Sequence, residues 1–447
     1  MCMKKLAVFF LALAAFAPGL RAEVLGVHRT ASGAGWLERT EQGDLVLHLE
    51  GAYYDMGVEQ ASLLGPDTRM ALRSAKNAIR MEYPFLPPSW GISLIHKYVY
   101  LKSAPFVPAT FKDELRGLSD ASGVPFETIA ALHAATFLTS CSGAAAWGPA
   151  TADGRLYFIR SNDIAITLDP ETGEAYNDRA TIVVVKPQGE IPYMFFSWPG
   201  FIGASDGMNA EGICVGNMSD PSRFETPAGL PMLFRVKQTL GHAHNLDEAI
   251  AWMIKKPYEG GYNFLVADGK VPAAMVIEMD AGKLYVGGWD GPAESNHYAY
   301  QGREYAYEPK QDLLTRTNHP QSADLIADHK GKIDDGKAHG KSSVHRYRDL
   351  RGRLVADYGR LDLESMYNIL RDHYESVEWE KGPTLGATSH QLAFDPRTGD
   401  FLIAFSRGNP LKEGRRAVSA FSQPYHRYNF FELLAREPGP GEDRMAK

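Results

Sequence analysis

Cysteine is scarce in this chain of 447 residues, which contains only Cys2, Cys141 and Cys214. Cys2 precedes an apolar run, whereas a lipid-attachment cysteine would follow one, and we assign Cys2 to a removed leader. A bridge between Cys141 and Cys214 is arithmetically possible, but a chain of this length does not need one for stability. Composition alone leaves two interpretations of these thiols, inert burial in a core or chemistry.

Long apolar segments and clusters of positive charge are also missing. Beyond the first 22 residues no stretch is long and apolar enough to cross a bilayer, so we expect no stable membrane anchor. The net charge is −7 and the sequence has no basic run, which argues against a nucleic-acid partner. The apolar fraction of 44% and the charged fraction of 23% are ordinary for a globular protein.

The N-terminus carries the features of an export signal. Lys4 and Lys5 form a short basic head, an apolar run covers residues 6–17, and the small residue Ala22 follows a helix-breaking Pro-Gly pair. This order predicts a cleavable signal peptide over residues 1–22 and a secreted or periplasmic protein.

The pattern of the chain changes at Cys141. Residues 23–140 show apolar residues mainly at helical spacing, and we predict a mostly helical segment there. Residues 141–436 combine short strands, turn signals and helices, which predicts a layered α+β sandwich. The predicted strands cover 156–160, 181–185, 192–198, 212–216, 262–267, 274–278, 391–395 and 401–405, and the predicted helices cover 245–255, 342–355 and 363–373. The tail at 437–447 is charged and rich in proline and glycine, so we expect it to be disordered.

Cys141 lies in a segment of small residues between a predicted helix and a predicted strand. Residues 139–148 read TSCSGAAAWG, and small side chains would let a substrate and backbone amides approach the sulfur closely. Small residues around a cysteine also pack well in a core. This segment alone therefore does not separate a catalytic thiol from an inert one.

An ordered set of motifs follows Cys141. They are Arg160-Ser161-Asn162-Asp163, Trp198-Pro199-Gly200-Phe201, Gly207-Met208-Asn209, Arg316-Thr317-Asn318-His319-Pro320 and Ser343-x-x-Arg346. Together they resemble the N-terminal-nucleophile hydrolases, in particular the acyl-coenzyme A:6-aminopenicillanate acyltransferase family, with phospholipase B-like proteins and choloylglycine hydrolases as relatives. The resemblance implies a four-layer αββα sandwich, a nucleophilic cysteine at the start of a strand, and self-cleavage between Ser140 and Cys141.

The resemblance also implies roles for the matched residues. Arg160 would favour the thiolate of Cys141 through its positive charge, and Asp163 would orient an α-amine. Asn318 would donate to the oxyanion, with Asn209 supplying further backbone or amide contacts. The alternatives are a plain ion pair between Arg160 and Asp163, and a turn role for Asn209, since asparagine tolerates positive φ.

Elementary thiol chemistry supports cleavage before Cys141. A free thiol has a pKa of about 8.5, whereas an α-amino group, with a pKa of about 7.7 to 8.0, can accept the thiol proton. Cys141 offers both groups only if its bond to Ser140 is cut by an N-to-S acyl shift and hydrolysis. The resemblance implies a linear amide substrate, of the N-acyl amine or N-acyl amino acid type, cleaved through a thioester by hydrolysis or acyl transfer.

Three further residues are candidates for substrate binding. Arg346 could bind a substrate carboxylate or brace Asp163, although its surroundings equally fit a solvated helix surface. Trp198 and Phe201 could line an acyl pocket, but aromatic residues at strand spacing more often belong to a core.

Other chemistries have weaker support in the sequence. Histidines 319, 329, 339, 345 and 390 include no pair at i,i+4 spacing with an intervening acid, so we expect neither a metal nor a cofactor. A papain-like triad would lack that family's local sequence at the cysteine and would leave the Arg-x-x-Asp motif without a role. Ester cleavage of phospholipids, and a secreted binding protein without turnover, remain the alternative functions.

Overall fold

The computed structural model describes residues 22–134, 140–300, 302–330, 343–376 and 386–438. The predicted signal peptide lies outside the described residues, except for Ala22. The predicted disordered tail also lies outside them from residue 439 onward. Within the described part of the chain, no helix combines the length and apolar character needed to cross a membrane.

Strands supply most of the framework. They are β1 (Glu23–Arg29), β2 (Ala34–Arg39), β3 (Leu45–Gly51), β4 (Ser140–Gly148), β5 (Gly154–Ala165), β6 (Thr181–Pro187), β7 (Tyr193–Ser197), β8 (Asp206–Asn209), β9 (Ile213–Ser219), β10 (Tyr262–Asp268), β11 (Ala273–Met279), β12 (Leu284–Gly287), β13 (His297–Tyr300), β14 (Arg303–Ala306), β15 (Leu313–Arg316), β16 (Gly386–Asp395), β17 (Asp400–Phe405) and β18 (His426–Asn429).

Helices cover both outer faces. They are α1 (Tyr53–Glu82), α2 (Pro88–Ile95), α3 (Leu101–Ser103), α4 (Ala109–Ser122), α5 (Phe126–Ala134), α6 (Met232–His242), α7 (Leu246–Met253), α8 (Ala323–Ile326), α9 (Ser343–Ala356), α10 (Leu363–Ser376), α11 (Pro410–Glu413), α12 (Arg415–Val418) and α13 (Phe430–Leu434). A π-helical turn over His96–Tyr100 joins α2 to α3.

The two large sheets pack face to face. The first has ten strands in the order β1-β2-β3-β6-β7-β8-β9-β10-β11-β12, and the second has six in the order β15-β4-β5-β16-β17-β18. Apolar side chains from both sheets, such as Val184 and Phe196 from the first and Phe158 and Phe394 from the second, form a common core. Most neighbouring strands are antiparallel, but β3 and β6 run parallel.

Two further cores attach the helices. The outer face of the ten-stranded sheet packs with α1, α4, α6 and α7 through residues such as Val183 and Leu115. The outer face of the six-stranded sheet packs with α9 and α10 through residues such as Ile159 and Leu370. Strand β6 is apolar at successive positions because both faces of its sheet are covered. The αββα layering expected from the sequence is thus confirmed.

The N-terminal segment differs from its prediction. Residues 53–134 are helical as expected, but residues 23–51 form β1, β2 and β3 at one edge of the ten-stranded sheet. Buried polar residues hide the strand alternation: the side chains of Glu38 and His48 lie inside the protein and contact each other at 3.2 Å. From the sequence alone, a charged residue such as Glu38 indicates a solvent-exposed position and hides the alternation of a strand. The contact with His48, which explains why Glu38 is buried, is visible only in the folded structure.

Candidate active site

Cys141 is the second residue of β4, and its side chain is 0% exposed. Because side chains alternate along a strand, Cys141 faces the core between the two sheets, while Ser142 faces the layer of α9 and α10. Strand β4 pairs with β5, so that Cys141 lies opposite Asn162 and Ser140 lies opposite Asp163. The register thus brings the Arg-x-x-Asp motif beside the cysteine.

Two polar side chains of β5 contact the sulfur of Cys141. Arg160 Nη2 donates a hydrogen bond to the sulfur at 3.4 Å, and the thiol lies 3.4 Å from Asn162 Oδ1, to which it donates. A guanidinium is always charged and favours the thiolate form of a neighbouring thiol. Arg160 therefore lies close enough to Cys141 to favour its thiolate, as the resemblance implies.

Arg160 is held by the opposite sheet. Its guanidinium donates to Asn217 O from Nε at 2.9 Å and from Nη2 at 2.6 Å, and its Nη1 forms an ion pair with Asp206. A Cβ on Gly216 would lie 3.0 Å from Arg160 Cδ, so a glycine there leaves room for the arginine. Burial opposes ionisation of Asp206, but the charges of Arg160 and His390 outweigh burial and lower the Asp206 pKa.

The backbone nitrogen of Cys141 has its own partner. It donates to Asn318 Oδ1 at 2.6 Å, while Asn318 Nδ2 donates to the carbonyl of Ser219 at 2.6 Å. Both contacts agree on which end of the amide is oxygen. In the uncut chain Asn318 therefore acts as an acceptor for the nitrogen of Cys141, and its role as an oxyanion donor stays a prediction.

Arg346 belongs to this cluster and is not a solvated surface residue. It is 1% exposed, and its Nη1 donates to the carbonyl oxygen of Cys141 at 2.5 Å and to Ser142 Oγ at 3.0 Å. Its Nη2 donates to Asn318 Oδ1 at 2.8 Å. The amphipathic pattern of α9 fits an exposed face equally well, and only the packing of α9 on β4 decides the orientation of Arg346.

Asp163 lies on the opposite face of β5 from Arg160. Its Oδ2 accepts a hydrogen bond from Tyr374 of α10 at 3.0 Å, and the hydroxyl of Thr388, its ladder partner on β16, helps to lower its pKa. Its buried Oδ1 has no hydrogen bond of ordinary geometry among the described residues. Burial raises the pKa of Asp163 to about 6, and the positive charge of Arg346 offsets this only in part. Asp163 lies opposite Ser140 in the ladder. Its buried Oδ1 could therefore accept a hydrogen bond from a new N–H group if the bond between Ser140 and Cys141 were cut.

The Thr-Asn-His and Ser-x-x-Arg motifs meet in space. Ser343 Oγ lies 2.8 Å from Thr317 Oγ1 and 2.7 Å from His319 Nδ1, and Tyr307 OH lies 3.0 Å from His319 Nε2. Burial holds the pKa of His319 well below its usual range, so the ring is neutral. This network fixes the backbone on both sides of Asn318.

Asn209, a predicted site residue, contacts other parts of the structure. Its Nδ2 donates to the carbonyls of Leu240 and Ala243 at 2.9 and 2.8 Å, and its Oδ1 accepts from the backbone nitrogens of Glu211 and Ile213. The two Oδ1 contacts close the β8–β9 turn, and the two Nδ2 contacts tie it to the end of α6. Asn209 thus supports a turn through its side chain, without the positive φ that the alternative interpretation invoked, and none of its described contacts reaches Cys141.

The described contacts of the two aromatic candidates are with other residues than Cys141. Trp198 packs against the ring of His390 at 6.1 Å, and its buried Nε1 has no hydrogen-bond partner within the described ranges. The ring of Phe201 lies 5.2 Å from that of His133 in α5. Trp198 therefore packs on His390, the histidine that contacts Asp206. Substrate contact by Trp198 or Phe201 stays a prediction.

Sequence reasoning missed two residues that hold the arginine. No motif in the sequence assigns a role to Asp206, and His390 is a candidate only for the metal site that the histidine spacing argues against. In the fold His390 Nε2 lies 3.0 Å from Asp206 Oδ2, and both side chains are fully buried. The only signal in the sequence is that Asp206 directly precedes the Gly-Met-Asn motif.

Comparison with known proteins identifies the family. The sequence pattern of the acyl-coenzyme A:6-aminopenicillanic acid acyl-transferases matches residues 150–409, which is more than half of the 447 residues. The chain belongs to this acyltransferase family. The match includes Arg160, Asp163, Asn318 and Arg346 but begins after Cys141, so the role of the thiol rests on geometry.

Individual relatives of this acyltransferase-family chain are distant. An uncharacterised protein of Archaeoglobus fulgidus is 25% identical over 367 residues, which cover 74% of this chain and 58% of that protein. Protein dcd1B of Dictyostelium discoideum is 27% identical over 286 residues, covering 59% of this chain and 56% of that protein. The chain thus spans less than two thirds of the length of these relatives. Penicillin V acylase from Agrobacterium tumefaciens is a similar solved structure, with 12% identity, a TM-score of 0.41, and coverage of 65% of this chain and 91% of that chain.

Proposed function

We propose that this protein is an exported cysteine amide hydrolase or acyltransferase that cuts its own chain before Cys141. One observation carries the proposal: both reactive atoms of Cys141 have polar side-chain partners. The sulfur has Arg160 and Asn162, and the backbone nitrogen has Asn318. An inert core cysteine has no need of a side-chain partner for its nitrogen in addition to a cation for its sulfur.

Maturation begins with attack by the Cys141 sulfur on the carbonyl carbon of Ser140. A carbon–sulfur bond forms, the bond from that carbon to the Cys141 nitrogen breaks, and the thiol proton passes to the nitrogen. Water then hydrolyses the thioester, which leaves a carboxylate on Ser140 and a free thiol and α-amine on Cys141. Asn318 and Arg346, bonded to the nitrogen and carbonyl oxygen of Cys141, hold this residue in place during the shift.

Turnover uses the α-amine that maturation creates. The amine accepts the thiol proton, the thiolate attacks the substrate amide carbon, and the protonated amine returns the proton to the leaving nitrogen. Water or a second amine then resolves the thioester. An α-amine has more N–H groups than the amide it replaces, and the unpartnered Oδ1 of Asp163 is a suitable acceptor for one of them.

The segment before the cut stays bound in this proposal. Strand β3 pairs with β6 from Leu45↔Thr181 to Gly51↔Pro187. A buried ion pair at 2.5 Å joins Glu114 of α4 to Lys237 of α6. The mature enzyme is therefore a complex of residues 23–140 with a second chain that starts at Cys141.

Intact mass and N-terminal sequencing of the exported protein test this scheme. The wild type should give two chains that start at Glu23 and Cys141 and elute together, whereas Cys141→Ala should give one chain. Cys214→Ala is the matched control and should be cut normally. Two fragments from Cys141→Ala with full activity would refute the proposal.

A substrate panel then separates the reactions. Release of amine from N-acyl amines or N-acyl amino acids supports amide cleavage. Fatty acid release from a phospholipid without cleavage of N-acyl amines would instead support the phospholipase B-like alternative. An uncut wild-type chain whose Cys141 resists iodoacetamide would point to a binding protein without turnover.

A further inference from the structure

One surface of the N-terminal helical segment exposes large apolar side chains that the fold leaves uncovered. We call it the aromatic face, and it consists of Tyr83, Phe85, Trp90, Leu94, Tyr98 and Leu101. Phe85 is 101% exposed and Trp90 is 67% exposed. Single exposed apolar residues are ordinary, but a group of them within 20 residues of chain is a mark of an interaction surface.

The aromatic face follows from the geometry of one helical run. Helix α2, the π-helical turn and α3 form a continuous helix over residues 88–103. Its inner side buries Ile92 and Tyr100 against the rest of the protein. Its outer side carries Trp90, Leu94, Tyr98 and Leu101, which recur at helical spacing. The solvent-facing side of a surface helix is normally polar, whereas the solvent-facing side of this helix carries large apolar residues.

Exposed cationic residues lie within and next to the segment that carries the aromatic face. Residues 68–112 contain seven lysine and arginine residues and one acidic residue, Glu82, in a chain of net charge −7. Arg73 is neutralised by Asp169. Arg80, Lys97 and Lys102 are exposed, and no ion pair of the described residues includes them. Exposed cations outside the described ion pairs thus accompany the aromatic face, in a protein whose net charge is negative.

Aromatic rings together with lysine and arginine are the side chains that bind the interface of an anionic bilayer. Tyrosine and tryptophan rings insert at the headgroup level, and the cations bind lipid phosphates. We propose that the aromatic face docks onto the surface of an anionic lipid bilayer, with Phe85 and Trp90 inserted and with Lys97 and Lys102 at the phosphates. This contact is peripheral and reversible, and it is independent of the amide-cleaving function.

Vesicle flotation with the purified full-length protein tests the proposal. We expect the protein to float with vesicles of phosphatidylcholine containing phosphatidylglycerol, to float far less with pure phosphatidylcholine, and to be released by high salt. Absence of flotation with the anionic vesicles overturns the proposal. Equal binding to both kinds of vesicle overturns it as well, because the cations would then have no role.

Two pairs of variants locate the contact. Phe85→Ser with Trp90→Ser should weaken binding to anionic vesicles by about tenfold or more, and so should Lys97→Glu with Lys102→Glu. The matched controls, Phe224→Ser with Leu411→Ser and Lys256→Glu with Lys412→Glu, replace exposed residues elsewhere and should bind like the wild type. Equal loss in the controls would overturn the assignment to this face.

Sedimentation velocity distinguishes a lipid surface from a second copy of the chain. We expect the wild type without lipid to sediment at the same rate as the Phe85→Ser, Trp90→Ser variant. If the wild type forms a dimer that this variant abolishes, then the aromatic face is a protein interface and the proposal is wrong.

Discussion

Cys141 and Cys214 are two buried thiols of the same core, and they differ in the charges around them. Burial, together with the carboxylates of Asp395 and Asp268, raises the pKa of the Cys214 thiol well above its usual range. Cys141 has the guanidinium of Arg160 at 3.4 Å from its sulfur. Burial therefore does not separate a reactive thiol from an inert one, whereas the sign of the neighbouring charge does.

The largest expected effect comes from exchanging the two thiols for alanine. Cys141→Ala should abolish self-cleavage and lower amide turnover by roughly 10⁴-fold or more, because no other group forms the thioester. Cys214→Ala should leave turnover within about twofold, with at most a modest loss of stability from its small cavity. Rates on an N-acyl amine and fragment patterns on a denaturing gel measure both. Similar rate losses in the two variants would break the comparison.

The second test of the comparison between Cys141 and Cys214 removes the positive charge of Arg160 beside the Cys141 sulfur. Arg160→Gln combined with Asp206→Asn removes a buried ion pair without leaving either charge alone. We expect the pH midpoint of iodoacetamide alkylation at Cys141 to rise and turnover to fall by about 10²- to 10³-fold. Alkylation of Cys214 in the same samples serves as the internal control. An unchanged profile at Cys141 would show that Arg160 does not activate the thiol.

Asp206 and His390 show the limit of sequence reasoning for this site. Residues of the Arg-x-x-Asp, Thr-Asn-His and Ser-x-x-Arg motifs lie around Cys141 in the fold, and each motif is a local pattern that a family resemblance can carry. Asp206 and His390 belong to different sheets and are separated by 184 positions. Their meeting depends on how the two sheets pack, and no local pattern contains that information.

The fold shows the same limit. Strands with alternating or wholly apolar residues, such as those at 181–185 and 262–267, were predicted correctly, since burial on both faces leaves a clear pattern. The three strands over 23–51 were missed because Glu38 and His48 satisfy each other inside the protein. In the sequence, two polar residues that contact each other on neighbouring strands cannot be distinguished from two solvent-exposed residues.

The pKa of Asp163 sets the third test. Because burial raises this pKa to about 6, we expect amide turnover by the cut enzyme to slow as the pH falls below about 6, where the carboxylate that would hold the α-amine is lost. The raised value also means that ionising Asp163 costs folding free energy, so its contribution to the free energy of unfolding falls as pH rises from about 4 to about 6.

Asp163→Asn sharpens this test. The variant should turn over an N-acyl amine about 10²-fold more slowly, and its remaining rate should lack the acid limb. Rates of amine release between pH 4 and 8 measure both effects. If the variant keeps the wild-type pH profile, then another group is responsible for the acid limb.

The smallest expected effects on turnover come from Asn318 and Asn209. As with the two thiols, one member of the pair contacts the site and the other supports the fold elsewhere. Asn318→Ala should lower turnover by about tenfold to a hundredfold even at temperatures well below its Tm, because Asn318 contacts the nitrogen of Cys141. Asn209→Ala should lower the free energy of unfolding by about 2 to 4 kcal/mol, since four buried hydrogen bonds are lost, with nearly normal turnover at low temperature. Thermal melts combined with kinetics separate the two, and the opposite pattern would return Asn209 to the active site.

The parallel pairing of β3 with β6 changes the thermodynamics of the molecule once the bond before Cys141 is cut. Three strands of the ten-stranded sheet then belong to a separate chain, so unfolding becomes a dissociation whose midpoint depends on protein concentration. Reassembly would require two different molecules to meet, neither of which has a complete sheet. The cut protein would thus persist through slow unfolding, whereas an uncut Cys141→Ala chain could refold by itself at any dilution.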